Sequence, residues 1–166
     1  SEQYRGMSDE DVQALVVYLR SQPTVERQTP ETQLNLLGAA VVGVGVFPLS
    51  RQVPVNQPVV ALPSAPTVEY GAYLVKLSGC SECHGEGLRG GTSQFTPIGP
   101  NLPAIVGQWD RAQFITTIRT GMDPYGHQLD PARMPWRNYA DAFSDDELTA
   151  IDAYIRTLPP AGPAAP

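Results

Sequence analysis

Apolar residues recur at helical spacing in four stretches, each opened by a capping residue and closed by glycine or proline. In the first, Val12, Leu15, Tyr18 and Leu19 share one face behind Ser8, with Asp11 as an acidic capping-box partner and Pro23 past the end. In the second, Tyr70, Tyr73, Leu74 and Leu77 follow Thr67 and stop at Gly79. In the third, Asp110 and Gln113 make a capping box, Trp109 and Phe114 stand where a hydrophobic staple joins its partners, and Gly121 follows Ile115 and Ile118 as the C′ residue. In the fourth, Ser144 and Glu147 make a capping box, Leu148, Ile151, Tyr154 and Ile155 form the face, and Pro159 ends it. With no strand–helix alternation beside them, these stretches predict an all-α fold.

The first and fourth stretches match each other. Ser8/Ser144, Asp9/Asp145, Ala14/Ala150, Tyr18/Tyr154, Arg20/Arg156 and Pro23/Pro159 are identical, and a tyrosine precedes each cap (Tyr4, Tyr139). Matched tyrosine, arginine and proline offsets favour a true repeat over two unrelated well-capped helices. The second copy closes the domain that holds the chemistry described below. Residues 1–23 then read as the tail of an earlier domain of the same kind.

Composition narrows this further. A chain of 166 residues allows one ordinary domain with extensions or two small ones. The 15 glycines and 17 prolines predict long irregular loops around short helices, and such a domain has little core of its own. The net charge of −6 disfavours nucleic acid and anionic membrane surfaces as partners. It is compatible with a basic docking patch on a partner, although solubility alone accounts for it. Ser1-Glu2-Gln3-Tyr4 has neither the basic region nor the apolar core of a signal peptide. Either such a segment has been removed or the chain starts inside a larger protein, and the repeat favours the second.

The chemistry centres on Cys80-Ser81-Glu82-Cys83-His84, a C-x-x-C-H run, the attachment signature of c-type haem. Two thiols on one helical turn add across two vinyl groups of one porphyrin, and the next residue turns its imidazole to the iron. A zinc site would need Cys80, Cys83, His84 and His127 to converge, although adjacent Cys83 and His84 project in different directions. A thioredoxin-like motif needs a βαβ setting, and a disulfide leaves His84 unexplained. Both cysteines are used by the haem, so one covalent haem c is expected, with neither a disulfide nor a free thiol.

Residues 85–107 read as a glycine- and proline-rich loop wrapping the haem edge. A ligating histidine usually gives its other ring N–H to a carbonyl or carboxylate, and Pro100 in Gly99-Pro100-Asn101-Leu102 supplies a candidate carbonyl that spacing alone does not single out. Residues 122–139 hold three candidates for a sixth iron ligand: Met134, Met122 and His127. A methionine raises the reduction potential and a second histidine lowers it by comparison. Spacing alone puts Met134 slightly ahead of Met122. Arg119, Arg133 and Arg137 are candidate counter-charges for the haem propionates, with solvated surface arginines as the alternative. Trp136 and Tyr139 are candidates for packing on the haem or for ordinary core.

Together, Cys80-Ser81-Glu82-Cys83-His84, Gly99-Pro100-Asn101-Leu102, Met134-Pro135 and the closing helix with Tyr154 resemble a class I c-type cytochrome domain over residues 67–159. The resemblance implies a small all-α fold whose first and last helices cross, Tyr154 being the residue expected against Gly71. It implies thioether attachment at Cys80 and Cys83, axial ligation by His84 and Met134, and a hydrogen bond from His84 to Pro100. The layout is also similar to part of the multi-haem cytochrome subunits of membrane-bound dehydrogenases, which string such domains along proline-flanked connectors.

Residues 24–66 form such a connector, with Pro30, Pro48, Pro54, Pro58, Pro63 and Pro66. Its uncharged segment 32–50 is slightly short for a membrane span and carries Gly43, Gly45 and Pro48. One crossing between two haem domains would put them on opposite sides of the membrane, whereas haem c is attached outside the cytoplasm. A buried or interfacial segment is therefore expected. Residues 160–166 read as a flexible tail. The expected function is electron transfer in the periplasm or at the outer face of the cytoplasmic membrane, with redox proteins or other subunits as partners. Membrane association would come through the complex or segment 32–50. The rival reading is a haem peroxidase or ligand sensor with an open sixth position, and a third is a structural subunit.

Overall fold

The computed structural model describes residues 3–31, 33, 35–44, 58–91 and 99–160, and it divides the chain into two compact units, residues 8–60 and residues 1–7 with 61–166. Residues 32, 34 and 45–50 of the apolar connector segment, residues 92–98 of the glycine-rich loop and residues 161–166 of the expected tail lie outside the described residues.

The smaller unit opens with α1, Asp9–Ser21. Ser8 caps it by accepting from the Asp11 amide, and three acidic residues in its first turn complement the helix dipole. The Val59 carbonyl accepts from the Asp9 amide at 3.0 Å, so the connector returns to this N-terminus. The uncharged run folds as α2, Leu36–Gly43, capped by Asn35. Its Leu36 and Leu37 are largely exposed within the chain. Among the described residues no helix is long and apolar enough to cross a membrane.

The larger unit carries the remaining helices: α3 (Val68–Leu77), α4 (Cys80–His84), α5 (Leu102–Val106), α6 (Arg111–Thr120), α7 (Trp136–Ala142) and α8 (Asp145–Thr157). No strand occurs among the described residues; only two isolated backbone bridges do, Arg89 with Asn101 and Met122 with Gln128. The predicted caps form. Thr67, Asp110 and Ser144 each accept from the amide three residues on, and both capping boxes close. Gly121 ends α6 at φ +70°, the left-handed region that a C′ glycine supplies.

The helices α3 and α8 share the unit's largest interface. Their backbones meet at Gly71, where an added Cβ would fall inside the Ala150 carbonyl and 3.0 Å from Tyr154 Cβ. Tyr154 thus stands where the sequence placed it, but the closest approach is to the Ala150 backbone. A short 3-10 turn, Gln3–Gly6, packs on the end of α3, with Gln3 Nε2 donating to the Leu77 carbonyl at 2.9 Å.

The two repeated helices match in form. Each has thirteen residues, a serine N-cap, and an extended C-cap whose amide bonds the carbonyl three residues back (Leu19, Ile155). They differ in burial. Leu148, Ile151 and Ile155 are at most 6% exposed, whereas Val12, Leu15 and Leu19 at the matched positions are 43–59% exposed.

The core consists of Leu74, Val75, Leu88, Val106, Phe114, Leu148, Ile151 and Ile155. All but Leu74 also line a cleft, so this core is completed only by what fills that cleft.

Candidate cofactor site

The C-x-x-C-H run is itself α4, a single turn bounded by two left-handed glycines, Gly79 at φ +67° and Gly85 at φ +71°. Gly79 ends α3's path and starts the turn afresh, which puts Cys80, Cys83 and His84 together on the cleft. The cleft has two lobes of about 770 and 1280 Å3, mouths included. Cys83, His84, Leu102, Phe114, Arg133 and Met134 line both.

The first lobe is almost wholly apolar, bounded by α3, α4 and α8 residues with Tyr139 and Phe143. Burial there pushes the Cys80 thiol up to about 11, so the sulfur stays protonated at neutral pH. The same cause raises Tyr139, whose hydroxyl donates to the Ser78 carbonyl.

His84 is 7% exposed, and its Nδ1–H donates to the Pro100 carbonyl at 2.9 Å. That bond fixes the ring and its tautomer and leaves the Nε2 lone pair bare. Burial lowers the imidazole's pKa, with the Pro100 carbonyl opposing, so His84 is neutral and ready to bind a metal. The loop that brings Pro100 here crosses the motif closely. The Gly99 amide donates to the Cys83 carbonyl at 2.8 Å, and a Cβ on Gly99 would sit 2.6 Å from His84 Nδ1. Gly99→Ala is expected to displace the ring and to cost about 1–3 kcal/mol, read by denaturant unfolding alongside a shifted Soret band.

Of the three candidate sixth ligands, Met134 lines both lobes. Met122 is 40% exposed and lines neither. His127 is exposed and engaged with Asp123 Oδ2 at 3.0 Å.

Two residues predicted for the cofactor stand elsewhere. Arg119 is spent tying α6 to its neighbours, donating to Asp145 Oδ1 at 2.6 Å and to the Ala140 carbonyl, and it does not line the cleft. Trp136 is buried against Gly121, its Nε1 donates to the Leu129 carbonyl at 3.3 Å, and the Arg137 guanidinium lies 4.9 Å from the ring centroid. That stack also accounts for Arg137. Arg133 does line both lobes, with no side-chain partner among the described residues.

A further residue emerges on the second lobe. The Trp109 Nε1–H is buried without a hydrogen-bond partner. The sequence shows Trp109 only as a staple beside Asp110, because a donor left unsatisfied by the folded chain has no local signature. Trp109 and Arg133 line the second lobe, the more polar of the two, beside Asp123 and Asp130. A large apolar plate, two thiols to hold it, and His84 and Met134 to ligate its metal fit the apolar and sulfur- and nitrogen-bearing parts of this lining, while Asp123 and Asp130 also stand on the second lobe.

The comparisons agree. A family model described as Cytochrome c matches residues 68–159. A nicotinate dehydrogenase subunit of Pseudomonas putida is 29% identical over 125 residues, 68% of this chain and 10% of that protein. The fructose dehydrogenase cytochrome subunit of Gluconobacter japonicus is 30% identical over 115 residues, 61% of this chain and 23% of that protein. The chain therefore spans a quarter or less of the length of these relatives. With the family match covering α3 through α8 and every residue of the cleft, the chain belongs to the cytochrome c family of haem-binding electron-transfer domains.

Proposed function

We propose that residues 67–159 transfer electrons through one covalently bound haem c, as part of a multi-domain subunit of a redox complex outside the cytoplasm. The observation that carries this reading is that His84 and Met134 line the same two lobes, so the cleft offers a protein ligand for each axial position. When bound, the haem supplies a one-electron couple. Cys80 and Cys83 would hold it in place, His84 and Met134 would ligate its iron, and the Pro100 carbonyl orients His84. Arg133, which lines both lobes, would supply positive charge to its acidic edge. The apolar first lobe excludes water, which together with the methionine favours the reduced, less charged state. With both positions so filled, the iron would offer no open site to a substrate.

The exposed face of α1 supports reading residues 1–23 as the closing segment of a second domain of this kind. It carries the apolar positions that α8 buries, including Ala14 where Ala150 meets Gly71. The two relatives, named as dehydrogenase subunits, support a dehydrogenase complex as the setting, with its other subunits as partners.

The test is the visible and near-infrared spectrum of oxidised and reduced holoprotein, with carbon monoxide added to the reduced form and haem counted as the pyridine adduct. One haem per chain, a methionine-to-iron charge-transfer band and no carbon monoxide shift are expected. A ready carbon monoxide shift without that band would overturn the closed site in favour of a peroxidase or ligand sensor.

A further inference from the structure

Trp136 is 8% exposed, yet it stands apart from the clustered core and lines neither lobe of the cleft. It binds instead to the loop that carries Met134. Its indole Nε1–H donates to the Leu129 carbonyl at 3.3 Å, and its backbone amide donates to the Met134 carbonyl at 2.7 Å. The Met134 amide in turn donates to the carbonyl of Asp130, next to Leu129, at 2.9 Å. The same loop is tied to the end of α6. The Gly121 carbonyl accepts from the Leu129 amide at 2.7 Å and from Gln128 Nε2 at 2.8 Å. Gly121 also abuts the indole, and a Cβ there would fall inside the Trp136 ring system. One side chain thus joins the end of α6, Leu129 and the backbone of Met134 from outside the cleft.

We infer that Trp136 is a positioning residue for the sixth ligand: it clamps residues 121–134 to α6 and so keeps Met134 on the cleft. This rests on the reading of Met134 as an axial ligand. A thioether is a weak ligand, and here it comes from residues 121–135, which contain no helix. A weak ligand on a loose loop loses affinity to the entropy of ordering that loop, and preorganisation recovers it. The fraction of time that Met134 stays on the iron therefore depends on how rarely the loop opens. A tryptophan that only filled space would need its ring alone. A clamp needs the N–H as well, since that is the hydrogen bond its side chain makes to the loop.

Imidazole binding to the oxidised holoprotein, followed by stopped flow, tests this. At saturating imidazole the rate is limited by departure of the sixth ligand, and so reads loop opening. In Trp136→Phe, which keeps a ring without the N–H, that rate is expected to rise about fivefold, the change that one hydrogen bond implies. The methionine-to-iron band is expected to persist when imidazole is absent. Arg111→Gln, at the far end of α6, is the control. Arg111 Nε donates at 3.3 Å to Asp152, a carboxylate 0% exposed in α8 that also accepts from Arg156 Nε at 2.9 Å. Taking one partner from a buried acid loosens the whole domain, so Tm should fall, while the imidazole rate is expected to stay as it was. If Trp136→Phe leaves the rate unchanged, or Arg111→Gln raises it equally, Trp136 only fills space and the inference fails. Absence of the methionine-to-iron band from the unmutated protein would overturn the axial reading itself, and the inference with it. Should Trp136→Phe not fold, Trp136→Tyr likewise lacks the indole N–H and is read in the same way.

Discussion

Met134→Ala is expected to abolish the methionine-to-iron charge-transfer band, to let carbon monoxide bind the reduced protein, and to lower the reduction potential. Axial ligands set haem potentials over a span of about 0.8 V, and losing the thioether should cost a sizeable part of it. The reasoning is local. Met134 lines both lobes together with His84, whereas Met122 and His127 lie away from the cleft. The Met134 amide is held by the Asp130 carbonyl at 2.9 Å, and its own carbonyl accepts from the Trp136 amide at 2.7 Å. The loop therefore keeps its place when the side chain is cut, and water or an added ligand enters the space. Met122→Ala, at an exposed position outside the cleft, should leave the band and the potential unchanged. Spectroscopy and redox titration of both variants check the pair. A retained band in Met134→Ala would transfer the ligand role elsewhere.

The second large effect is structural. Gly71→Val is expected to destabilise the holoprotein by about 3 kcal/mol or more, the upper end of overpacking costs. For a domain of this size that is a fall in Tm of roughly 15 °C. The neighbour that an added Cβ meets is the backbone carbonyl of Ala150, which cannot rotate away as a side chain would, and Tyr154 Cβ closes the other side. Relief requires α3 and α8 to move apart, and Val75, Leu148, Ile151 and Ile155 on those helices line the first lobe. Stability and the haem spectrum should therefore fail together. Thermal unfolding followed at the Soret band and by far-UV circular dichroism checks this, coincident transitions being the expected result.

Sequence pattern is a good guide wherever a signal is local. The caps at Ser8, Thr67, Asp110 and Ser144 and the stop at Gly121 stand as read, because each depends on residues within one turn. The C-x-x-C-H run is legible for the same reason. The short helices are not. The helix α4 spans five residues, too few for periodicity, and α7 follows Pro135 with no side-chain cap. For α5 a signal is present but masked: Asn101 accepts from the Ala104 amide and Pro103 occupies the first turn, in a stretch whose glycines and prolines read as loop. Long-range partners are out of reach. Arg119 finds Asp145 twenty-six residues away, and nothing near either residue announces it. The buried, unpartnered Trp109 N–H is likewise a property of the folded chain alone.

The two matched helices differ at one telling position. Val16 stands in α1 where Asp152 stands in α8, while Arg20 and Arg156 coincide. A chain with two copies of one apolar face risks mispairing, the wrong helix closing the groove on α3. Were α1 to take that place, Arg20 and Arg111 would face each other with no carboxylate between them, a like-charge contact that the correct helix converts into attraction. The buried acid thus acts as a proofreading mark. The apolar positions of the two helices match in kind, so charge is what would tell them apart.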